Sequence, residues 1–337
     1  MLPVLSVEDI YVEFATGGTT IQAVRGVSLT VDRGETLGIV GESGSGKSVT
    51  ALSILRLVAR PGRITRGRVM FEGSDLLQMG ERELRKVRGA RIAMVFQDPL
   101  TSLNPTLTIG NQIVETICEH RPTPAGEAWR EAEDLLRQVH MTLPEQRLRQ
   151  YPFELSGGMR QRAMIAMAFS CRPAVLIADE PTTALDVTVQ AQILDLMDEI
   201  RKDLGTSVIL ITHDLGVVAE RCDHVAVMYA GQIVEYAPVK ELFESPKHPY
   251  TQAMLAALPD WRRPRTEGPL PALPGQPPDM KNVPDGCPFA ARCPSAMDVC
   301  VKRVPAQTIV GSADVSGGDG SRYVRCLLYE DGSSIGY

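Results

Sequence analysis

From Leu5 to about Leu258, short apolar runs alternate with longer stretches whose apolar positions recur every three or four residues. The runs Thr36–Val40, Arg91–Phe96, Ala174–Ala178 and Ser207–Ile211 read as buried strands, the second closed by Asp98-Pro99. Lys47–Ala59 predicts a helix that Pro61 and Gly62 end, and Gly158–Ser170 a second that Arg172-Pro173 breaks. Val187–Leu204 predicts a long amphipathic helix with Gly205 as its C-cap. Strands alternating with helices predict an α/β fold, a mainly parallel sheet covered on both faces. After Leu258 the pattern dissolves. Pro259, Pro264, Pro269, Pro271, Pro274, Pro277, Pro278 and Pro284 punctuate a stretch too proline-rich for regular helix or central strand. The expected division is therefore 1–257 for the α/β domain and 258–337 for a small irregular extension. Such an extension needs a source of order besides a large apolar core.

Composition narrows the functional classes. Of 337 residues, 44% are hydrophobic and 23% charged, with a net charge of −6, which is ordinary for a globular protein. No lysine- or arginine-rich block marks a nucleic-acid footprint. Glu8, Asp9 and Glu13 interrupt the apolar residues of the N-terminus, unlike a signal peptide. No apolar run approaches the roughly 20 residues that cross a bilayer, so any membrane role is expected to be peripheral. Without an export signal, the reducing cytoplasm is the expected compartment for the seven cysteines, and disulfides are not expected there.

Chemistry enters at Gly41-Glu-Ser-Gly-Ser-Gly-Lys-Ser48, which matches G-x4-G-K-[S/T] between an expected strand and an expected helix. Gly41, Gly44 and Gly46 let the backbone wrap closely around phosphate oxygens, with the N–H groups of Ser43, Ser45 and their neighbours turned inward. The helix N-terminus at Ser48 and Val49 adds partial positive charge. Lys47 is expected to reach the β- and γ-phosphates, and the Ser48 hydroxyl to ligate Mg²⁺. In Ala174-Val-Leu-Ile-Ala-Asp-Glu180, a buried strand delivers two carboxylates to one place. Asp179 suits Mg²⁺, a hard cation that favours oxygen ligands. Glu180 is then the candidate general base for the attacking water. Alone, the carboxylate pair could simply end a strand; beside a phosphate loop it reads as catalytic.

Between these motifs lies Leu155-Ser-Gly-Gly-Met-Arg-Gln161, and here the chain resembles the ABC ATPase family, whose signature is Leu-Ser-Gly-Gly-Gln ahead of a helix. Met159 departs from the glutamine of many members and is similar to the variant of the peptide-importer branch. Ser156, Gly157 and Gly158 at a helix N-terminus form a second anion-binding concavity. The resemblance implies head-to-tail pairing of two ATPases, each ATP lying between one chain's phosphate loop and the other's signature. It also implies an antiparallel β subdomain and an α-helical signature subdomain. By the same resemblance Gln97 senses Mg²⁺ and water while its loop meets a membrane partner. Ala184-Leu-Asp186 links the two ATP sites, His213 contacts the γ-phosphate, and Phe14 stacks on adenine. His120, His140, His224 and His248 lack such a context and read as surface or packing residues.

In the tail, His248-Pro-Tyr-Thr251, Gly286-Cys-Pro-Phe289 and Ala291-Arg-Cys-Pro294 are similar to the C-terminal extension of dipeptide and oligopeptide importer ATPases. Cys287, Cys293, Cys300 and Cys326 are spaced C-x5-C-x6-C-x25-C. Gathered thiolates favour zinc or iron–sulfur clusters, but neither the C-x2-C pairs of zinc sites nor ferredoxin spacing is present. Spacing leaves iron–sulfur, zinc and unlinked packing thiols open; the resemblance implies a small irregular domain holding a [4Fe–4S] cluster. The chain as a whole is expected to be the ATP-hydrolysing subunit of an importer of di- or oligopeptides or similar small solutes. Its expected partners are a related second ATPase, two permeases and an extracytoplasmic solute-binding protein, on the cytoplasmic face of the membrane. A soluble ABC ATPase acting on nucleic acid or ribosomes is the alternative.

Overall fold

The computed structural model describes residues 2–183, 185–258, 273–310 and 322–330. Ala184 and the prolines at 259, 264, 269 and 271 lie outside the described residues.

Two sheets organise the described residues. The larger has eight strands, in the order Thr308–Ile309, Tyr323–Val324, Gln232–Pro238, His224–Tyr229, Thr36–Val40, Ser207–Ile211, Val175–Asp179 and Ile92–Val95. The last five of these run parallel, and the first three are joined antiparallel. Alternation along the strands shows why they are buried on both sides. Val175 and Ile177 enter one apolar core, while Leu176 and Ala178 enter the other. A strand whose two faces are both covered must be apolar throughout, which is how a run such as Val-Leu-Ile-Ala becomes legible. The second sheet is antiparallel, ordered Thr19–Val31, Leu5–Thr16, Gly62–Phe71 and Ser74–Asp75.

A helical arm comprises Ile109–His120, Ala125–Gln138 and Gly157–Phe169. Ile113, Ile117, Ala132, Leu136 and Ile165 join it to the core under the parallel sheet. The expected α/β layers, antiparallel subdomain and helical arm are all present. Val187–Leu204 and Ser207–Ile211 match expectation residue for residue, with Gly205 left-handed at the helix end (φ 65°).

Elsewhere the bounds shift. The expected helix Lys47–Ala59 stops at Ile54, because a distant arginine takes up the carbonyls at its end. Arg88 donates from Nε to the Leu55 carbonyl (2.8 Å) and from Nη2 to that of Arg56 (3.2 Å), and Arg56 turns left-handed (φ 52°). Helix termini leave such carbonyls without intrahelical partners, and this partner comes from tertiary structure.

Beyond Leu258, the described residues form only short 3-10 turns and two two-residue strands, Thr308–Ile309 and Tyr323–Val324. They do not build a core of their own. Phe289 belongs to the core under the parallel sheet and Tyr323 to the opposite one. Tyr323 also stacks on Tyr236 (5.5 Å between centroids), which stacks on His224 (5.6 Å). Arg322 and the fully buried Glu235 form an ion pair at 3.2 Å, with the Lys247 and His248 N–H groups donating to the same carboxylate (2.8 Å each). A buried carboxylate requires such compensation, and here it fastens the extension to the sheet.

Candidate functional site

The phosphate loop leaves the carboxyl end of Thr36–Val40, which lies between His224–Tyr229 and Ser207–Ile211 in the parallel set. Gln97, Glu180 and His213 follow the neighbouring strands Ile92–Val95, Val175–Asp179 and Ser207–Ile211. Residues scattered over some 170 positions therefore meet at one sheet edge, where parallel α/β sheets bind their ligands. A cleft of about 460 Å³ is lined by Gly41, Glu42, Ser43, Gly44, Gly46, Lys47, Ser48 and Val49 together with Ala23, Gln97, Glu180 and His213.

Two glycines are sterically required. A Cβ on Gly41 (φ 153°) would lie 2.2 Å from the Met228 carbonyl oxygen, and one on Gly46 (φ 102°) 2.6 Å from that of Ala23. Ser45 lies beneath the loop, with its Oγ buried and without a hydrogen-bond partner. Lys47 is 6% exposed. Its Nζ donates to the Gly41 carbonyl (2.8 Å) and the Glu42 carbonyl (3.1 Å). Burial pushes its ammonium below the ordinary lysine range, while Glu180, Asp179 and Glu42 oppose that shift.

Opposite the loop, the Ser48 hydroxyl donates to Asp179 Oδ1 (3.0 Å). Burial raises the Asp179 carboxyl above its usual value; the Ser48 hydrogen bond works the other way, and nearby Glu180 adds to the rise. A buried carboxylate that already touches a hydroxyl, with a second, partly exposed carboxylate beside it, makes a hard-oxygen donor set that a divalent cation would stabilise. Glu180 is the hub. Its Oε2 accepts from Gln97 Nε2 (3.0 Å) and Thr183 Oγ1 (2.9 Å), and lies 3.6 Å from His213 Nδ1. Its backbone is left-handed (φ 45°), a conformation a non-glycine residue adopts at a cost of about 1–3 kcal/mol and one that clusters at functional sites.

Several expected residues lie outside this cleft. Ser156 caps the helix Gly157–Phe169, its Oγ accepting from Met159 N at 3.4 Å. Ser156, Gly157 and Gly158 lie on the helical arm, Ser156 and Gly157 exposed, and none of the three lines the cleft. Asp186 caps Val187–Leu204, accepting from Val189 N (3.0 Å); Ala184, beside it, falls outside the described residues. Phe14 is partly buried and packs onto the core of the antiparallel sheet, where Gly62 leaves its ring room. It does not line the cleft.

The cysteines give a mixed result. All seven are free, and among the described residues no group of three or more His, Cys, Asp or Glu side chains is arranged to hold a metal ion. The arrangement of the described residues therefore does not support the metal centre expected from the sequence. Nevertheless Cys287, Cys293, Cys300 and Cys326 line one small apolar pocket, walled by Phe289, Leu327 and His248. Burial pushes the Cys287 thiol up to about 11 and the Cys326 thiol up to about 12, and raises Cys293 as well. His248, expected as a surface or packing residue, is fully buried, and burial lowers its imidazole to about 3. Its Nδ1 accepts from Tyr250 N (3.0 Å).

Sequence reasoning also missed Glu42 and Thr183. Glu42 occupies a free position of its motif and carries no signal of its own; Thr183 signals itself only by standing three residues after Glu180.

Comparison with known proteins agrees with this geometry. Residues 24–183 match the ABC transporter family, and residues 234–300 match the oligopeptide/dipeptide transporter C-terminal region. The dipeptide transport ATP-binding protein DppD of Bacillus subtilis is 52% identical over 310 residues, 92% of each chain. The oligopeptide transport ATP-binding protein OppD of Salmonella typhimurium is 49% identical over 304 residues, 90% of each chain. Among solved structures, the ATP-binding cassette MJ0796, a dimer in a post-hydrolysis state with ADP and phosphate, superposes with a TM-score of 0.63. It is 26% identical, over 70% of this chain and 98% of that one. No helix among the described residues is long and apolar enough to cross a membrane.

Proposed function

The chain belongs to the ABC transporter family as an ATP-binding, ATP-hydrolysing subunit of its dipeptide and oligopeptide importers, and from that premise we propose how its residues divide the work. The backbone of Gly41–Ser48 and the Lys47 ammonium take the β- and γ-phosphates. Ser48, Asp179 and Gln97 would hold Mg²⁺ through oxygen, and the ion would neutralise phosphate charge. Glu180 orients the attacking water and accepts its proton, while Gln97 and Thr183 fix the carboxylate and His213 faces the γ-phosphate. The observation that carries this reading is the convergence of three separate strand ends on Glu180 Oε2 beside the phosphate loop. Phe14, whose ring is only partly buried beside Gly62, is kept as the aromatic that would stack on adenine.

Ser156, Gly157 and Gly158 lie away from this chain's own cleft, and we assign them to the nucleotide of a companion ATPase, with Asp186 near the contact. The dimeric form in which MJ0796 was solved supports that pairing. A related but different ATPase is our choice of companion. Phe96 (36% exposed) and Leu100 (54% exposed), on either side of Gln97 and Asp98, offer apolar contact to a permease. Two permeases and an extracytoplasmic solute-binding protein complete the importer, with this chain on the cytoplasmic face. ATP-driven closure of the ATPase pair would rock the permeases between conformations. Pull-down of the tagged chain from detergent-solubilised membranes should recover two polytopic proteins. Recovery of ribosomes or nucleic acid in their place would overturn the transport assignment.

We take residues 1–257 as the ATPase and 258–337 as an extension organised by its thiols, and we assign the four cysteines to a [4Fe–4S] cluster. The support is that these four soft donors line one small apolar pocket. Its contribution would be covalent cross-linking of a segment whose described residues build no core of their own. Protein purified without oxygen should contain iron and absorb visible light, and Cys293→Ser should lose both. Stoichiometric zinc without iron would overturn the assignment.

A further inference from the structure

We infer that Arg292 is a positioning residue for ATP binding: it holds and neutralises Glu42 of the phosphate loop, so that the cysteine pocket communicates with the nucleotide through one side chain. The inference rests on the nucleotide-site reading above. It starts from a charge in an awkward place. Glu42 lines the cleft that holds Lys47, and a free carboxylate there would repel a polyphosphate.

Every polar group of Glu42 is held. Its N–H donates to Tyr250 Oη (3.0 Å), and its carbonyl accepts from Lys47 Nζ (3.1 Å). Its carboxylate receives both arms of the Arg292 guanidinium, Nη1 to Oε2 at 2.8 Å and Nη2 to Oε1 at 2.9 Å. A bidentate pair of this kind fixes orientation as well as charge.

Arg292 is built to stay put. Its side chain is 6% exposed. Nε donates to the Pro274 carbonyl (2.8 Å) and Nη1 to Tyr229 Oη (3.2 Å). The rings of Tyr229 and Phe289 lie 5.8 and 6.0 Å from the guanidinium carbon. Its backbone belongs to the turn Ala290–Arg292 between two of the pocket cysteines. Ala290 N donates to the Cys287 carbonyl (3.0 Å), and Cys287 N to that of Cys300 (2.7 Å). Anything that reorders Cys287, Cys293 or Cys300 therefore moves the frame from which Arg292 reaches the loop.

A purely structural tether and an electrostatic positioner differ in one respect. Removing the Glu42 charge cannot repair a broken tether, but it relieves an exposed repulsion. The test measures binding of a fluorescent ATP analogue with Mg²⁺ to the full chain, and KM and kcat for ATP in the assembled transporter. Arg292→Gln should weaken binding about tenfold, raising KM with kcat nearly unchanged. Arg292→Gln combined with Glu42→Gln should bind within about threefold of the parent. Cys293→Ser should weaken binding in the parent but not in the Glu42→Gln background. Glu42→Gln alone should bind at least as tightly as the parent, which keeps the test decisive if Arg292→Gln folds poorly. Additive losses in the double variant, weaker binding by Glu42→Gln, or unchanged binding by Arg292→Gln would overturn the inference. A parent chain whose binding does not depend on Lys47 would instead defeat the nucleotide-site reading beneath it.

Discussion

Replacing Glu180 with glutamine is expected to leave ATP bound and to slow its hydrolysis roughly 10²–10⁴-fold, the usual contribution of a general base. Glutamine has the same shape and can still accept from Gln97 Nε2 and Thr183 Oγ1, which hold Oε2 at 3.0 and 2.9 Å. The local hydrogen-bond frame should therefore survive. What the amide lacks is a site basic enough to take a proton from water. It also removes a negative charge facing the γ-phosphate, so nucleotide retention should rise rather than fall. Phosphate release and retained nucleotide, measured on the same preparation, separate the two effects. Hydrolysis at the parent rate would remove Glu180 from the mechanism.

Lys47→Ala should act at the earlier step, binding. Lys47 is 6% exposed, and its ammonium lies among the carbonyls of Gly41 and Glu42. Its burial is unfavourable for a cation, as the downward shift of its titration indicates. Phosphate oxygens would supply the anionic partners that justify keeping a charge there. Losing a charge-assisted hydrogen bond to them costs about 2–3 kcal/mol, or roughly 30–150-fold in affinity for Mg·ATP. Calorimetric titration reads this directly, and affinity within threefold of the parent would contradict it. Lys47→Arg should not restore binding, because a planar guanidinium does not fit a cradle shaped for a compact ammonium.

The nucleotide cleft was legible because its parts are local and chemically constrained. A phosphate loop needs glycine where a Cβ would strike Met228 or Ala23, and a doubly covered strand needs an unbroken apolar run before it can present Asp179 and Glu180. Both requirements are written within a few residues. The helix end at Ile54 was not legible, since Arg88 sets it from more than thirty positions away. For a related reason, aromatic identity and position at Phe14 do not reveal that its ring also meets Gly62, on a neighbouring strand, at the rim of the core.

The extension shows the same divide. Its irregularity followed from proline content, but its attachment did not. Tyr323 pairing with Tyr236 and Arg322 seeking Glu235 are contacts over more than eighty residues. The Arg292–Glu42 pair spans 250 positions and joins two motifs that read as independent. Only the fold brings a cysteine-flanked arginine to the phosphate loop.

The decisive measurement is the structure of the assembled transporter carrying Glu180→Gln, trapped with ATP and Mg²⁺. It should show one γ-phosphate beside Lys47 and facing the companion's signature turn. Ser156 of this chain should in turn meet the nucleotide held by the companion. A fully ATP-loaded assembly in which Ser156 remains far from any γ-phosphate would contradict the shared-nucleotide motor on which the proposed roles depend.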